Sequence, residues 1–448
     1  MSATVDQTDA YRASFEPFAA AAAATDPPWL RALRTSAMAR FAEQGFPTTR
    51  NEAWKYTSVA PIARTAFRRP EGVALATEAT GALEELRSYG LGGLEVVFVN
   101  GRHAPELSSA RAHPGVELLS LREALARSPQ RVEPHLARLA RDVNVFADLN
   151  TAFIEDGAFV ALAPGQVVAE PIHLVYLSTN PAPGASLSHP RSLIVASPGS
   201  QARIVESYGG ADGEAYFTNA VSEAVIEDGA GLDHYKLQRE GDAGFHVATL
   251  GVSVGRDGRF ASHSISLGGS LVRNDVGVVL DGEGAECALL GLFMAGGTQH
   301  MDSHTVIDHA RPHTTSQELY KGIVDGRARG VFNGRIVVRK GAQKTDAYQT
   351  NKNLLLSNDA LVNSTPVLEI FADDVKCKHG STTGQLDPAA LFYLRARGLD
   401  EASARRLLTY AFASDLVQRI RVEPLRARLE SYLQSDLPAV DGIPAAVA

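Results

Sequence analysis

Apolar residues Leu30, Leu33, Ala37 and Phe41 recur at helical spacing behind Pro28-Trp29, and Gly45 ends the run, which predicts a helix. Trp54, Tyr56 and Ile62 follow, in and after a segment at 50–57 that reads as extended. Residues 94–99 form an apolar strand closed by the turn Asn100-Gly101, while 121–126 and 135–149 carry helical spacing. Residues 1–155 therefore read as an N-terminal helical and mixed domain.

From about 156 to 385 the helical period disappears. Short alternating runs, such as Ala261-Ser262-His263-Ser264-Ile265-Ser266-Leu267, are separated by turns such as Asp228-Gly229-Ala230-Gly231 and Arg256-Asp257-Gly258. So many short strands without intervening helices predict an all-β core. The turn spacing fits stacked coils of a β-solenoid, and a two-sheet barrel gives similar turns. Asp387-Pro388 then restarts helix as N-cap and first helical residue. A second helix follows Asp400, with the apolar stripe Ala404, Leu407, Leu408, Ala411, Phe412, Leu416 and Ile420, and a third covers 424–433. Residues 386–436 read as a C-terminal helical domain and 437–448 as a loose tail.

The richest chemistry lies just before that helical region. A strand is expected over 368–375, and Cys377 and His379 follow with Lys376 and Lys378 flanking the thiol. Positions i and i+2 of a strand share a face, so Cys377 and His379 project together and the lysines face the other way. A thiolate beside an imidazole suits iron, zinc or copper, and nearby ammonium groups favour the thiolate. The competing reading is a small buried Cys and a hydrogen-bonded surface His. The chain has two cysteines, Cys287 and Cys377, too few for a four-thiolate cluster site. A metal held by Cys377 and His379 thus needs donors from a second subunit or a transient ligand.

His300, Asp302 and His304 are a second metal candidate, since all three share a face if they lie on a strand. They suggest the rival function of a stand-alone, cupin-like metal-dependent enzyme using His300 and His304. No phosphate-binding loop, nucleophile elbow or HExxH motif occurs, so any ATP hydrolysis must belong to another subunit.

Composition narrows the classes further. A net charge of −8 argues against non-specific nucleic-acid binding, and 45% apolar with 21% charged residues suits a soluble globular protein. Two cysteines argue against a secreted disulfide scaffold, and the alanine-rich run near residue 20 reads as neither signal peptide nor membrane span. The expectation is a cytoplasmic chain. Polysaccharide lyases also use β-helices, but no export signal supports that class. Only eight of the 43 basic residues are lysine, and six of those fall between Lys321 and Lys378. Either that stretch needs compact ammonium groups or the bias is chance on a solvated face.

Ordered motifs run through residues 318–420. They include Tyr320-Lys321-Gly322, Gly330-Val331-Phe332-Asn333-Gly334, Gln343-Lys344-Thr345-Asp346-Ala347 and Asn351-Lys352-Asn353-Leu354-Leu355. Phe371-Ala372-Asp373-Asp374-Val375-Lys376-Cys377, His379-Gly380 and Phe392-Tyr393-Leu394-Arg395 continue the series, with weaker features at Glu52, Trp54, Lys55 and Tyr56. In these the chain resembles the SufB/SufD family of iron–sulfur cluster assembly proteins. The SufB branch carries more cysteines, so two fit the SufD branch better. The resemblance implies a right-handed parallel β-helix with helical regions at both ends. It implies a scaffold rather than an enzyme, binding no nucleotide itself. It further implies a SufB-like partner at the β-helix edge, a SufC-like ATPase on the C-terminal helices, and a homodimer as the possible form of the lone chain. The nascent cluster, or iron, would be shared with the partner, with the family's important histidine falling on His379 and its neighbouring cysteine on Cys377. Lys378 departs from the small residue usual in the family, which bears on the local pKa.

Overall fold

The computed structural model describes residues 2–70, 72, 77–109, 112–141, 143–181 and 183–435. Two facing sheets dominate it. One contains the parallel strands Arg191–Ala196, Tyr216–Ile226, Phe245–Val254, Leu271–Leu280, His300–His309, Arg329–Val338 and Leu361–Ile370. The other contains Gln201–Gly210, Gly231–Arg239, Arg259–Ser266, Glu286–Ala295, Thr315–Val324, Asp346–Leu355 and Lys376–Gly384. The chain alternates between the sheets, building a β-solenoid of about seven coils. Its corners are the predicted glycine turns; Gly229 and Gly326 hold φ of 68° and 62°, the left-handed region that glycine enters without strain.

Parallel register stacks like positions on like. In the second sheet Phe260, Cys287, Ser316, Ala347 and Cys377 form one inward row. Leu289, Glu318, Gln349 and His379 form the next. Strand side chains alternate faces, so these rows line the lumen. Most of the lumen is apolar, filled by residues such as Ile204, Leu232, Phe260, Leu289, Ile307 and Phe332.

The sheets do not begin where the N-terminal region ends. Leu94–Val99 joins the second sheet beside Ile172–Ser178, and Val116–Ser120 pairs antiparallel with Ala158–Leu162 in the first. The helices Ser2–Ala22, Pro28–Gln44 and Val145–Ala152 lie on the outer face of the first sheet, where Phe41, Phe46, Phe146 and Phe153 pack over Leu187, Phe217 and Val247.

Two local expectations fail for identifiable reasons. Residues 135–141, 143 and 144 are irregular, and of the expected 135–149 helix only the part within Val145–Ala152 is helical. The buried Glu223 carboxylate accepts the backbone N–H of Ala137, Leu139 and Ala140, and Ala137 sits at φ 55°, so tertiary capture overrides local propensity. The 50–57 segment contains the 3₁₀ turn Glu52–Trp54 instead of extended chain. Trp54 turns inward against Phe146 and lies under the Arg273 guanidinium, 3.7 Å from the ring centroid.

Helices Pro388–Ala396, Glu401–Val417 and Glu423–Ser435 lie along the outer face of the second sheet. The buried face of the middle helix is Ala404, Thr409, Ala413, Leu416 and Val417, followed by Ile420. This differs from the expected stripe, since Leu407 is 45% exposed and Ala411 faces solvent. Lys321 explains the rotation: its ammonium on the sheet holds the Phe412 carbonyl at 2.7 Å and pairs with Asp415. The expected tail at 437–448 lies outside the described residues.

Candidate functional site: the open last coil

The strand that carries the candidate ligands is Lys376–Gly384, not 368–375. The preceding strand, Leu361–Ile370, ends before Phe371, and residues 371–375 form the turn between the two sheets. Each is the terminal strand of its sheet, so the last coil has two free edges. Across its mouth Ser381 on one sheet donates from Oγ to Ser364 Oγ on the other at 2.8 Å.

Cys377 and His379 both occupy inward rows at this mouth, and Lys376 and Lys378 occupy the alternate face. Cys377 is half-buried against Leu368 and Val375, beside Ala347. His379, one position pair further along, is exposed. Burial pushes the Cys377 thiol up from its ordinary value, and the Asp346 carboxylate pushes it further. The expected thiolate-favouring effect of the lysines is therefore not realised, because they point outward; the Lys378 ammonium lies over the Tyr348 ring, 5.7 Å from its centroid.

Beneath His379 the lumen is polar. Gln349 donates from Nε2 to Glu318 Oε2 at 2.8 Å, and Thr305 reaches across from the other sheet to donate to Glu318 Oε1 at 2.5 Å. Burial pushes Glu318 up to about 7 against these two hydrogen bonds. Sequence reading did not find this group. The run Tyr348-Gln349-Thr350-Asn351-Lys352-Asn353 is polar throughout, so no hydrophobic alternation marks which residues turn inward.

Cys287 lies in the same inward row as Cys377, but with Ser316 and Ala347 between them, and it is fully enclosed. Burial, then the Glu318 charge, raises its thiol well above the ordinary range. It is a structural core cysteine.

His300, Asp302 and His304 do share a face of one strand, the outer face of His300–His309. Several of their polar atoms already have close partners. Arg273 Nη1 lies 2.9 Å from Asp302 Oδ2, the Thr57 hydroxyl donates to the same oxygen at 2.6 Å, and His304 Nε2 lies 3.0 Å from Oδ1. His300 Nε2 lies 2.9 Å from the Thr57 hydroxyl. Burial alone raises Asp302, but Arg273 and then His304 hold it well below the usual carboxylate range. The cluster is thus an ionic clamp fastening the Trp54 turn to the sheet. His309 is likewise satisfied, by Thr314 and Ser316 at 2.8 and 2.9 Å. Among the described residues no three His, Cys, Asp or Glu side chains converge as a metal site.

These features define a class: a two-sheet solenoid with a helical outer coat and an uncovered last coil, at whose mouth Cys377 and His379 share a face. The comparisons agree. Residues 177–412 match the family model described as "SUF system FeS cluster assembly, SufBD core domain", and residues 5–174 match "SufBD protein N-terminal region". The chain is 31% identical over 395 residues to the iron–sulfur cluster assembly protein SufD of Escherichia coli, covering 88% of this chain and 90% of that protein. It is 33% identical over 393 residues to an iron–sulfur cluster assembly SufBD family protein of Synechocystis, covering 86% of each. The SufD protein of Bacillus subtilis is 25% identical over 423 residues, 91% of this chain and 94% of that one. The chain belongs to the SufBD family. That membership supports a role in iron–sulfur cluster assembly. Among the described residues no helix is long and apolar enough to cross a membrane.

Proposed function

We propose that this chain is a non-catalytic scaffold subunit of the SufD kind, which meets a SufB-like partner at its last coil and contributes Cys377 and His379 to a shared site where the nascent cluster forms. One observation carries the reading. The uncovered mouth places two soft and borderline donors side by side, and two donors cannot complete a tetrahedral shell. Iron and sulfide are the cargo here, and His379, the more exposed donor, is the first to meet iron.

The free edges supply the docking chemistry. Leu361 and Phe371 donate their backbone N–H back to the Arg329–Val338 strand and its flank, so the alternate positions, Ile370 among them, turn their N–H outward. Such an edge recruits another strand unless blocked. Pro366 is one of the outward positions, so it removes one possible cross-subunit bond and no internal one. Exposed Leu361, Ile370 and Phe371 provide apolar contact at the same end.

A SufC-like ATPase docks on the C-terminal helices in this reading. Pro388–Ala396 buries none of its residues, and Phe392 and Tyr393 are 75% and 56% exposed. ATP hydrolysis belongs to that partner, and this chain binds neither nucleotide nor nucleic acid. Without partners the same free edge pairs two copies of the chain, and the assembly works in the cytoplasm.

Purification of the chain at native abundance from its own cells tests the reading. Co-elution of SufB-like and SufC-like chains supports the scaffold, and recovery of a lone chain with its own metal-dependent turnover overturns it.

A further inference from the structure

A histidine that binds metal through one ring nitrogen almost always donates its other N–H to a fixed acceptor, which sets the tautomer and aims the ring. His379 lies beside Gln349 in the inward row, and Gln349 lies beside Glu318. Gln349 is 1% exposed. Its Nε2 is spent on Glu318, while its Oε1 is buried without a hydrogen-bond partner. An orphaned buried carbonyl of this kind is costly and calls for a physical reason.

Turning the amide over would not relieve the orphan: it would set the oxygen against the Glu318 carboxylate or, with that carboxyl protonated, leave Nε2 unpartnered in its place. Thr305 fixes that carboxyl from the facing sheet at 2.5 Å. Gly334 provides the room: a Cβ there would collide with Gln349 Nε2. With Glu318 ionised, Glu318, Thr305 and Gly334 therefore hold the amide in one orientation, its oxygen an unused acceptor in the row that His379 ends.

We propose that Gln349 is the positioning residue for His379: its Oε1 accepts the N–H of one imidazole nitrogen, leaving the lone pair of the other aimed out of the mouth. This rests on the reading of His379 as an iron ligand and goes beyond it in naming the group that fixes its tautomer. Gln349 itself touches no metal. Covering the mouth with the partner removes water that competes for the imidazole, so the bond strengthens on assembly.

The test uses the full chain in its complex with the SufB-like partner, titrated anaerobically with ferrous iron. Histidine tautomers are read in the metal-free complex from ring ¹⁵N shifts, with His379 assigned by its loss in His379→Ala. Gln349→Met, similar in size but lacking the acceptor, should weaken iron binding about 10–100-fold and turn one dominant His379 tautomer into a mixture. The exchanged pair Glu318→Gln with Gln349→Glu restores an oxygen at position 349 and should recover both readouts. Wild-type affinity and tautomer in Gln349→Met overturn the proposal. If that variant does not assemble, failure of an assembled exchanged pair to restore a single tautomer overturns it instead. Iron affinity lost in His379→Ala but kept in Gln349→Met removes only the positioning role; affinity kept in His379→Ala removes the reading beneath it.

Discussion

Arg273 and Asp302 form a buried ion pair, 2.9 Å from Nη1 to Oδ2, on the outer face of the first sheet. Arg273 also holds Asp275 at 2.8 Å, the Ala53 carbonyl at 2.7 Å and the Trp54 ring. One guanidinium thus ties two coils to the N-terminal turn. Residues that looked like a metal site in sequence are the fastening of one region to another.

Removing Arg273 should therefore be severe. Arg273→Ala strips the guanidinium from buried Asp302 and Asp275 and leaves Asp302 only Thr57 and the His304 ring, and breaking a buried pair of this kind costs about 3–5 kcal/mol. Urea unfolding followed by circular dichroism should show that loss, with early proteolysis near residue 55. A loss below about 1 kcal/mol would show that the clamp is incidental.

Glu318 and Glu240 should each contribute a fall in stability as pH rises from about 4.5 to about 7. This acts against the opposite trend of buried His189, His263 and His309, which burial lowers to about 3 to 4. Burial raises Glu318 and Glu240 to about 7 in the folded chain, so across that window the folded state holds protons that the unfolded state has released. Their contribution is fully present below the unfolded value and lost as pH passes the folded one. Glu318→Gln should remove up to roughly 3 kcal/mol of the fall, by the conversion of about 1.4 kcal/mol per pKa unit. Denaturant midpoints at pH 5 and pH 7.5 for both proteins check it; an unchanged slope in the variant contradicts the assignment.

The C-terminal helices are unsuited to a deletion test. They cover Leu290, Leu292, Leu319 and Ile323 on the second sheet, and removing residues 388–448 would expose that face and invite aggregation. Phe392→Asp with Tyr393→Asp changes only exposed positions, so the melting temperature should stay within a few degrees while SufC capture is lost in a pull-down. Undiminished capture would place the ATPase elsewhere.

The shared-sheet contact is tested at Ile370. Its N–H faces the free edge, so Ile370→Pro should keep the isolated subunit folded yet weaken partner binding. Amide exchange should show new protection across residues 361–370 on adding the SufB-like chain. Protection that does not change rules out the shared sheet.

Much of the fold was legible because its determinants are local. Glycine corners, alternating strands and the Asp387 and Asp400 caps each act within a few residues, and the caps are formed as read, accepting from Ala389 and Ser403 at 2.9 Å. The pairing of Cys377 with His379 on one face followed from strand period alone. What could not be read depends on distant partners. The Glu223 carboxylate, far along the chain, captures the backbone at 137–140 and breaks the expected helix there, and Arg273 converts the His300–Asp302–His304 pattern into a clamp. Lys321 rotates the middle C-terminal helix, exposing Leu407. The inward placement of Glu318 and Gln349 needed the register of three strands that no single run encodes.

The most direct test of the central claim is His379→Ala in the assembled complex. The residue is exposed, so fold and partner binding should remain at wild-type level, with stability changed by no more than about 0.5 kcal/mol. Anaerobic reconstitution with iron and sulfide, followed by visible absorption and iron analysis, should then give no cluster. A complex of His379→Ala that forms clusters in wild-type yield would remove the mouth of the last coil from the chemistry.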